Sequence, residues 1–311
     1  MDDVTDTVFR QVVADCAPAD LYFTEFVNAD GLQSPGRPKL LKKLRFTPSE
    51  RPLVAQIWGK EPANFYKTAR QLADGTFAKE LGLPKGVNFA AVDLNMGCPQ
   101  KSEVQNGTCS ALMNDRPLAA DIIKATQEGL DGRLPLSVKT RTGFSGVDTS
   151  WIEFLLDHDL WALTIHGRTK AQKSKVPANW EFIGWARSLR DQLASQTLIV
   201  GNGDVMTRRQ GLGLARKYKL DGIMIGRGVF HDPFAFAEDS PWPEWSKEQK
   251  INLYRQHVEL FASTWKGNER PVQTLNKFCK IYINGFDGAK ELREKLMATK
   301  DTEELLSTLK G

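Results

Sequence analysis

Cys98 sits in the stretch AVDLNMGCPQK (91–101), between Gly97 and Pro99 and three residues after Asn95. Pro99 has no backbone N–H to give to a sheet, and Gly97 tolerates backbone angles that other residues avoid. The apolar run before them must therefore end in a sharp turn, which sets a thiol just past a strand's carboxyl end, downstream of the Asn95 amide and upstream of Lys101. A cysteine is commonly no more than a small buried hydrophobe. On a Gly-Cys-Pro turn it can instead serve as nucleophile or proton donor.

Other apolar runs close on polar groups in the same way: Glu25, Gln56, Lys139 with Arg141, His166 with Arg168, Asn202-Gly203-Asp204 and Gly226-Arg227-Gly228. Lys139, in LSVKTR, interrupts an apolar run. Its ammonium snorkels out, pairs with an acidic neighbour such as Asp93, or faces something that accepts protons or negative charge. His166 is one of only four histidines, and both a structural and a catalytic role are open to it. The turns GNGD (201–204) and IGRG (225–228) let backbone N–H groups approach a phosphate, with Arg227 adding charge. Their order fits the phosphate site after strands seven and eight of a (β/α)₈ barrel and points to a phosphorylated cofactor.

The elements that must hold these residues are seven apolar runs, at 21–26, 53–57, 89–94, 136–140, 162–166, 197–201 and 222–225. Segments of helical periodicity lie between them, at 63–81, 117–128, 151–158, 180–193 and 207–218. Such alternation is the pattern of βαβ units around a parallel sheet. An open doubly wound sheet shares it. Regular spacing, with a functional-looking residue closing nearly every strand, favours a TIM (β/α)₈-type barrel. That barrel needs eight strands, whereas this chain opens on a helix with Val4, Val8 and Val12 on one face, so the first strand is expected to be missing from the chain. Beyond the Pro-rich segment DSPWPEW (239–245) the pattern is helical only. Ser246 with Gln249 forms a capping box ahead of Ile251, Tyr254, Val258, Phe261 and Trp265, and Asp301 with Glu304 offers a second start. The expected division is a catalytic barrel at 1–240 and a small all-α domain at 246–311.

With 311 residues, 41% hydrophobic and 26% charged, the chain has an ordinary globular composition. It contains no run of about 18 apolar residues and no hydrophobic leader core, so no membrane partner is expected and the location is read as cytoplasmic. Cys16, Cys98, Cys109 and Cys279 include no CxxC pair, which argues against a zinc site or a disulfide framework, and no metal is expected. The net charge is +4, and residues 246–311 hold 12 Lys or Arg against 9 Asp or Glu, which is +3 of that total. Two further basic clusters are Arg37, Lys39, Lys42, Lys43 with Arg45, and Arg168, Lys170, Lys173 with Lys175. A polyanionic partner is compatible with this balance but not required by it. Nothing here sets an oligomeric state.

Taken together, these pieces resemble the tRNA-dihydrouridine synthase family, flavoenzymes that reduce a uridine in tRNA. The resemblance is carried by MDDVTDTVFR (1–10), TEF (24–26), Gln56 in VAQIWG, DLNMGCPQK (93–101), KTR (139–141), HGRT (166–169), NGD (202–204), IGRG (225–228) and the ending FCKIYINGFDGAKELREKL. It implies FMN, with its phosphate near Asn202, Gly203, Asp204, Gly226 and Arg227 and its ring near Met1, Gln56, Lys139 and His166. It implies NADPH or NADH as reductant, and hydride delivery to C6 of uracil while Cys98 protonates C5. Such a base must be flipped out of the tRNA, with cationic surface holding the backbone. Asn95, Lys101, Arg141, Arg168 and Lys170 are the residues expected to meet the tRNA, and the two basic clusters and the helical tail are expected to form one binding face.

Family members begin with a strand ending in Ala-Pro-Met, and this chain starts at that methionine. The expectation is therefore two open strand edges, with weak FMN binding or poor folding unless the chain is extended upstream by about ten residues, a strand and its lead-in. Two other readings fit parts of the sequence: an FMN-dependent barrel oxidoreductase acting on a small molecule, and a barrel that binds RNA without catalysis.

Overall fold

The computed structural model describes residues 1–310. Its centre is one parallel sheet of β1 (Tyr22–Phe23), β2 (Val27–Asn28), β3 (Leu53–Trp58), β4 (Ala91–Asn95), β5 (Leu136–Arg141), β6 (Ala162–His166), β7 (Leu198–Asn202) and β8 (Gly222–Met224). The strands pair in chain order, with β1 and β2 both lying along β3. That gives seven positions, at the seven places the apolar runs mark. Among the described residues β1 and β8 are not paired with each other, so each leaves an open edge.

The run expected as one strand at 21–26 is instead two short pieces. Tyr22 lies opposite Leu53 and Val27 opposite Ile57, so five steps on one side face four on the other. The extra residue is absorbed as a bulge. There the Gln56 N–H bonds the Thr24 hydroxyl at 3.0 Å, where a regular ladder would offer a backbone carbonyl. Alternation of apolar residues carries no signal for such a bulge.

The longer helices are α1 (Thr7–Cys16), α2 (Pro62–Ala73), α3 (Arg116–Leu130), α4 (Thr149–Leu156), α5 (Trp180–Gln192), α6 (Arg208–Tyr218), α7 (Lys247–Thr264), α8 (Asn276–Tyr282), α9 (Ala289–Met297) and α10 (Thr302–Thr308). Asp6, Asp115, Asp148, Asn179, Thr207 and Asp301 each cap a helix by accepting a backbone N–H three residues on. The expected capping box of Ser246 and Gln249 opens α7. The helix expected over 63–81 stops at Ala73, because Gly75 takes φ 80° before a short helix resumes at Thr76. The first helix starts at Thr7, capped by Asp6, so Val4 lies ahead of it.

Two apolar cores result. The larger packs the strands against α2 to α5, around Leu53, Val92, Val138, Trp151 and Ile165. In the second, Val8, Phe9, Val12 and Val13 of α1 pack with Tyr254, Val258, Phe261 and Phe278 of the tail, the Phe9 and Phe278 rings lying 4.7 Å apart. The same α1 is tied to the barrel side by a buried ion pair, Arg10 Nε to Glu50 Oε2 at 2.6 Å. No helix among the described residues is long and apolar enough to cross a membrane.

Close helix packing gives one stability prediction. A Cβ on Gly129 of α3 would lie 2.3 Å from the Tyr66 carbonyl oxygen of α2. Gly129→Ala is expected to destabilise the fold by about 1–3 kcal/mol, the usual cost of overpacking. A thermal melt indistinguishable from that of the parent chain would contradict this contact.

Candidate active site

The Cys98 turn is built by hydrogen bonds that start deep in the sheet. Asp93 of β4 is fully buried and accepts from Gln56 Nε2 at 2.7 Å and Ser137 Oγ at 2.6 Å. Burial pushes its carboxyl up to about 6 despite those two donors. Gln56 in turn accepts from Asn95 Nδ2 at 3.3 Å, and Asn95 Oδ1 accepts the N–H groups of Gly97 and Cys98 at 3.1 and 3.0 Å. This is an Asx turn, which fixes the cysteine's backbone. Arg141 Nε donates to the Gly97 carbonyl at 2.8 Å, and a Cβ on Gly97 would press on the Thr140 backbone at 3.1 Å. Only glycine fits the approach undisturbed.

Side chains two apart on each strand face one cavity of about 990 Å³. Ser137, Lys139 and Arg141 line it from β5, Thr164 and His166 from β6, Val200 and Asn202 from β7. Gln56, Asn95, Cys98 and Met1 complete the wall nearest the turn. Asp93 uses its oxygens on Gln56 and Ser137 and reaches Lys139 only as a nearby charge, so the expected alternative of a Lys139–Asp93 salt bridge is not formed. Burial, then Arg141, lowers the Lys139 ammonium to about 8. Burial, then Lys139, Arg141, Arg168 and Arg227, drives His166 far below the usual imidazole range, so its ring is neutral. Its Nδ1 is buried and has no protein partner. The cavity thus presents cations and a free imidazole nitrogen.

The Cys98 thiol meets a second thiol. A hydrogen bond from Cys109, then one from the Gln100 backbone and the charge of Arg141, lowers Cys98 against the opposing effect of burial. Cys109 lies buried at φ 54°, one residue before Ser110, whose N–H bonds the Cys98 carbonyl at 3.4 Å.

The glycine turns stand side by side. Asn202 Nδ2 donates to the Met224 carbonyl at 2.8 Å, joining the ends of β7 and β8. Gly203 takes φ 124°, and a Cβ there would strike Ala178 at 2.7 Å. Asp204 accepts from Arg168, from the Ala178 N–H at 2.9 Å and from Arg227 at 3.3 Å. Burial raises its carboxyl, but these donors outweigh it and hold the group below its ordinary value. Gly226 has nothing within 4 Å of where a Cβ would stand, leaving its backbone open to the cavity it lines.

Known proteins are similar to this chain in sequence and in fold. The sequence profile of the dihydrouridine synthase (Dus) family matches residues 1–310. The chain belongs to the dihydrouridine synthase family. A Bacillus subtilis (strain 168) protein named "Probable tRNA-dihydrouridine synthase 2" is 43% identical over 99% of this chain and 91% of its own length. A Staphylococcus aureus (strain COL) protein named "Probable tRNA-dihydrouridine synthase" is 42% identical over 99% and 90%. In fold alone, the chain is similar to histamine dehydrogenase from Rhizobium sp. 4-9, at TM-score 0.51 and 11% identity over 83% of this chain and 47% of that one. Membership makes the protein an oxidoreductase of the tRNA-dihydrouridine synthase kind.

The structure places the residues expected at the site unevenly. Met1, Gln56, Asn95, Cys98, Lys139, Arg141, His166, Asn202, Gly203, Asp204, Gly226 and Arg227 all line the cavity. Arg168 does not face a surface: it is 3% exposed and donates to Asp204 and to the Val176 carbonyl. Lys101 is exposed at the start of a short helix, and Lys170 sits 4.2 Å over the Phe144 ring. The first basic cluster is spent largely on the protein itself. Arg37 pairs with Glu80, Lys43 with Asp2, and Lys42 and Arg45 bond to Glu269 of the tail. Sequence reasoning missed Ser137, Thr24 and Cys109 as supports of the turn. Ser137 shares the spacing of Lys139 and Arg141, the one signal that could have found it.

Proposed function

We propose that this protein reduces a uridine of tRNA to 5,6-dihydrouridine, with FMN as its flavin, NADPH or NADH as reductant and Cys98 as proton donor. The observation that carries the reading is the convergence, on one cavity, of the Cys98 turn with Lys139, the unpartnered His166 nitrogen and the Asn202–Asp204 and Gly226–Arg227 turns. These residues fit a flavin mononucleotide: open glycine backbone with Arg227 suits a phosphate, and Lys139 with His166 suits the electron-rich edge of the ring. When bound and reduced, the flavin supplies hydride to C6 of the uracil.

The chain's own residues do the rest. Charge that builds at C5 needs an acid, and the Cys98 Sγ proton is delivered there. An ordinary thiol is mostly protonated at neutral pH, and the Cys109 hydrogen bond steadies the thiolate left behind. Asn95 and Arg141 hold the turn that aims the sulfur. Arg168 supports Asp204 from beneath. Lys101, Lys170, Lys173, Lys175 and the tail are the cations offered to an RNA backbone, whose phosphates such side chains neutralise.

Oxidation of NADPH or NADH that depends on unmodified tRNA, with the gain of two hydrogens located on a uridine by mass spectrometry, tests the reading. Reduction of a small enone with tRNA left unchanged would defeat it. Within this scheme Gly97→Ala is expected to slow turnover by about tenfold or more, since a displaced donor loses its near-attack geometry, while flavin retention stays as in the parent. Equal loss of flavin and rate would show that the turn serves binding instead.

A further inference from the structure

We infer that Arg270 is a positioning residue, whose buried pair with Glu25 fixes the angle at which the tail helices stand beside the cavity mouth and so sets where a tail-bound RNA presents its base. The inference rests on the tRNA reading above. Arg270 lies between α7 and α8, and its Nη2 reaches Glu25 Oε2 at 2.6 Å, 245 residues away in the chain. Its Nη1 lies 3.5 Å from Asp6 Oδ2, and its guanidinium sits 5.0 Å over the Trp265 ring, whose Nε1 donates to the same Asp6 oxygen at 3.2 Å. The three charged side chains are 4%, 0% and 4% exposed.

Stability alone does not explain such a cluster. Buried ion pairs are often replaceable by apolar residues without loss, and this one is incompletely satisfied: Glu25 Oε1 and Arg270 Nε have no partner. What the pair does supply is direction, because charged groups without water tolerate little displacement. Its barrel end falls at a telling place. Glu25 lies within the bulge between β1 and β2, and its neighbours Thr24 and Phe26 line the cavity. Thr24 also bonds Gln56, the first link toward Asn95 and Cys98. Apolar contacts between α1 and the tail hold the two units together, but grease permits sliding; the Arg270 fork does not.

Kinetics on a full-length tRNA transcript, flavin titration and amide hydrogen exchange test this on the whole chain. Arg270→Met is expected to raise KM for tRNA about tenfold or more, because a misplaced substrate loses productive contacts, with kcat changed less than about twofold. Flavin affinity should hold, and exchange should rise at residues 24–26 and 265–275. Arg270→Lys should recover part of the KM. Should Arg270→Met fold poorly, Glu25→Gln keeps shape and an acceptor oxygen and should show the same KM shift in smaller measure. An unchanged KM, or a loss confined to kcat and flavin, overturns the proposal. A parent chain inactive on tRNA would sink the functional reading instead, while the exchange pattern would still report whether the pair orders the seam.

Discussion

Cys98→Ala is expected to lower the rate of uridine reduction by about 10²–10⁴-fold, the usual worth of a positioned general acid. Flavin retention should be unaffected, because the turn's backbone is held by Asn95 and Arg141 rather than by the thiol. Following reoxidation of the reduced flavin by tRNA in a single turnover isolates the step. Cys98→Ser should be nearly as slow, because a hydroxyl is a far weaker acid than a thiol. If either variant turns over at the parental rate, proton donation lies elsewhere. Cys109→Ala gives a graded check, since Cys98 then loses the largest influence lowering its pKa and should become a weaker acid.

Lys139→Met should weaken flavin binding at neutral pH by about 10–100-fold, corresponding to about 1.5–3 kcal/mol for a hydrogen bond from a charged donor. A pH dependence accompanies it. Its surroundings in the protein lower the ammonium from 10.5 to about 8, chiefly through burial. A flavin ring that draws on this charge raises that value, so above about pH 8 binding must take up a proton and affinity falls, by at most about tenfold per pH unit. Fluorescence titrations between pH 7 and 9 should show the slope in the parent and none in Lys139→Met. The flavin-free protein carries the opposite signature: between about pH 8 and 10.5 the unfolded chain holds a proton that the folded chain has lost, so this lysine's contribution to stability rises with pH. A flat binding profile would remove Lys139 from the cofactor's surroundings.

Much of the site was readable from local chemistry. Gly97 and Pro99 ended β4 where they had to, and most residues closing the apolar runs line one cavity, with Glu25, Arg168 and Gly228 outside it. Surface placement was less readable. Arg168 looks like an RNA-binding cation in HGRT, yet it is buried under Asp204, a partner 36 residues away that no spacing rule selects. Lys42 and Arg45 likewise read as free cations until the tail supplies Glu269.

The sequence by itself determined the seven strand positions, their order and the polar residue at each end, because periodicity and turn chemistry act within a few residues. Only the tertiary structure decided that Thr24 bulges against Gln56, that Asp93 serves Gln56 and Ser137 rather than Lys139, that α1 shares a core with the tail and that Arg270 finds Glu25. Those outcomes depend on which groups packing brings together out of water, where a charge or amide must take whatever partner the fold puts within reach.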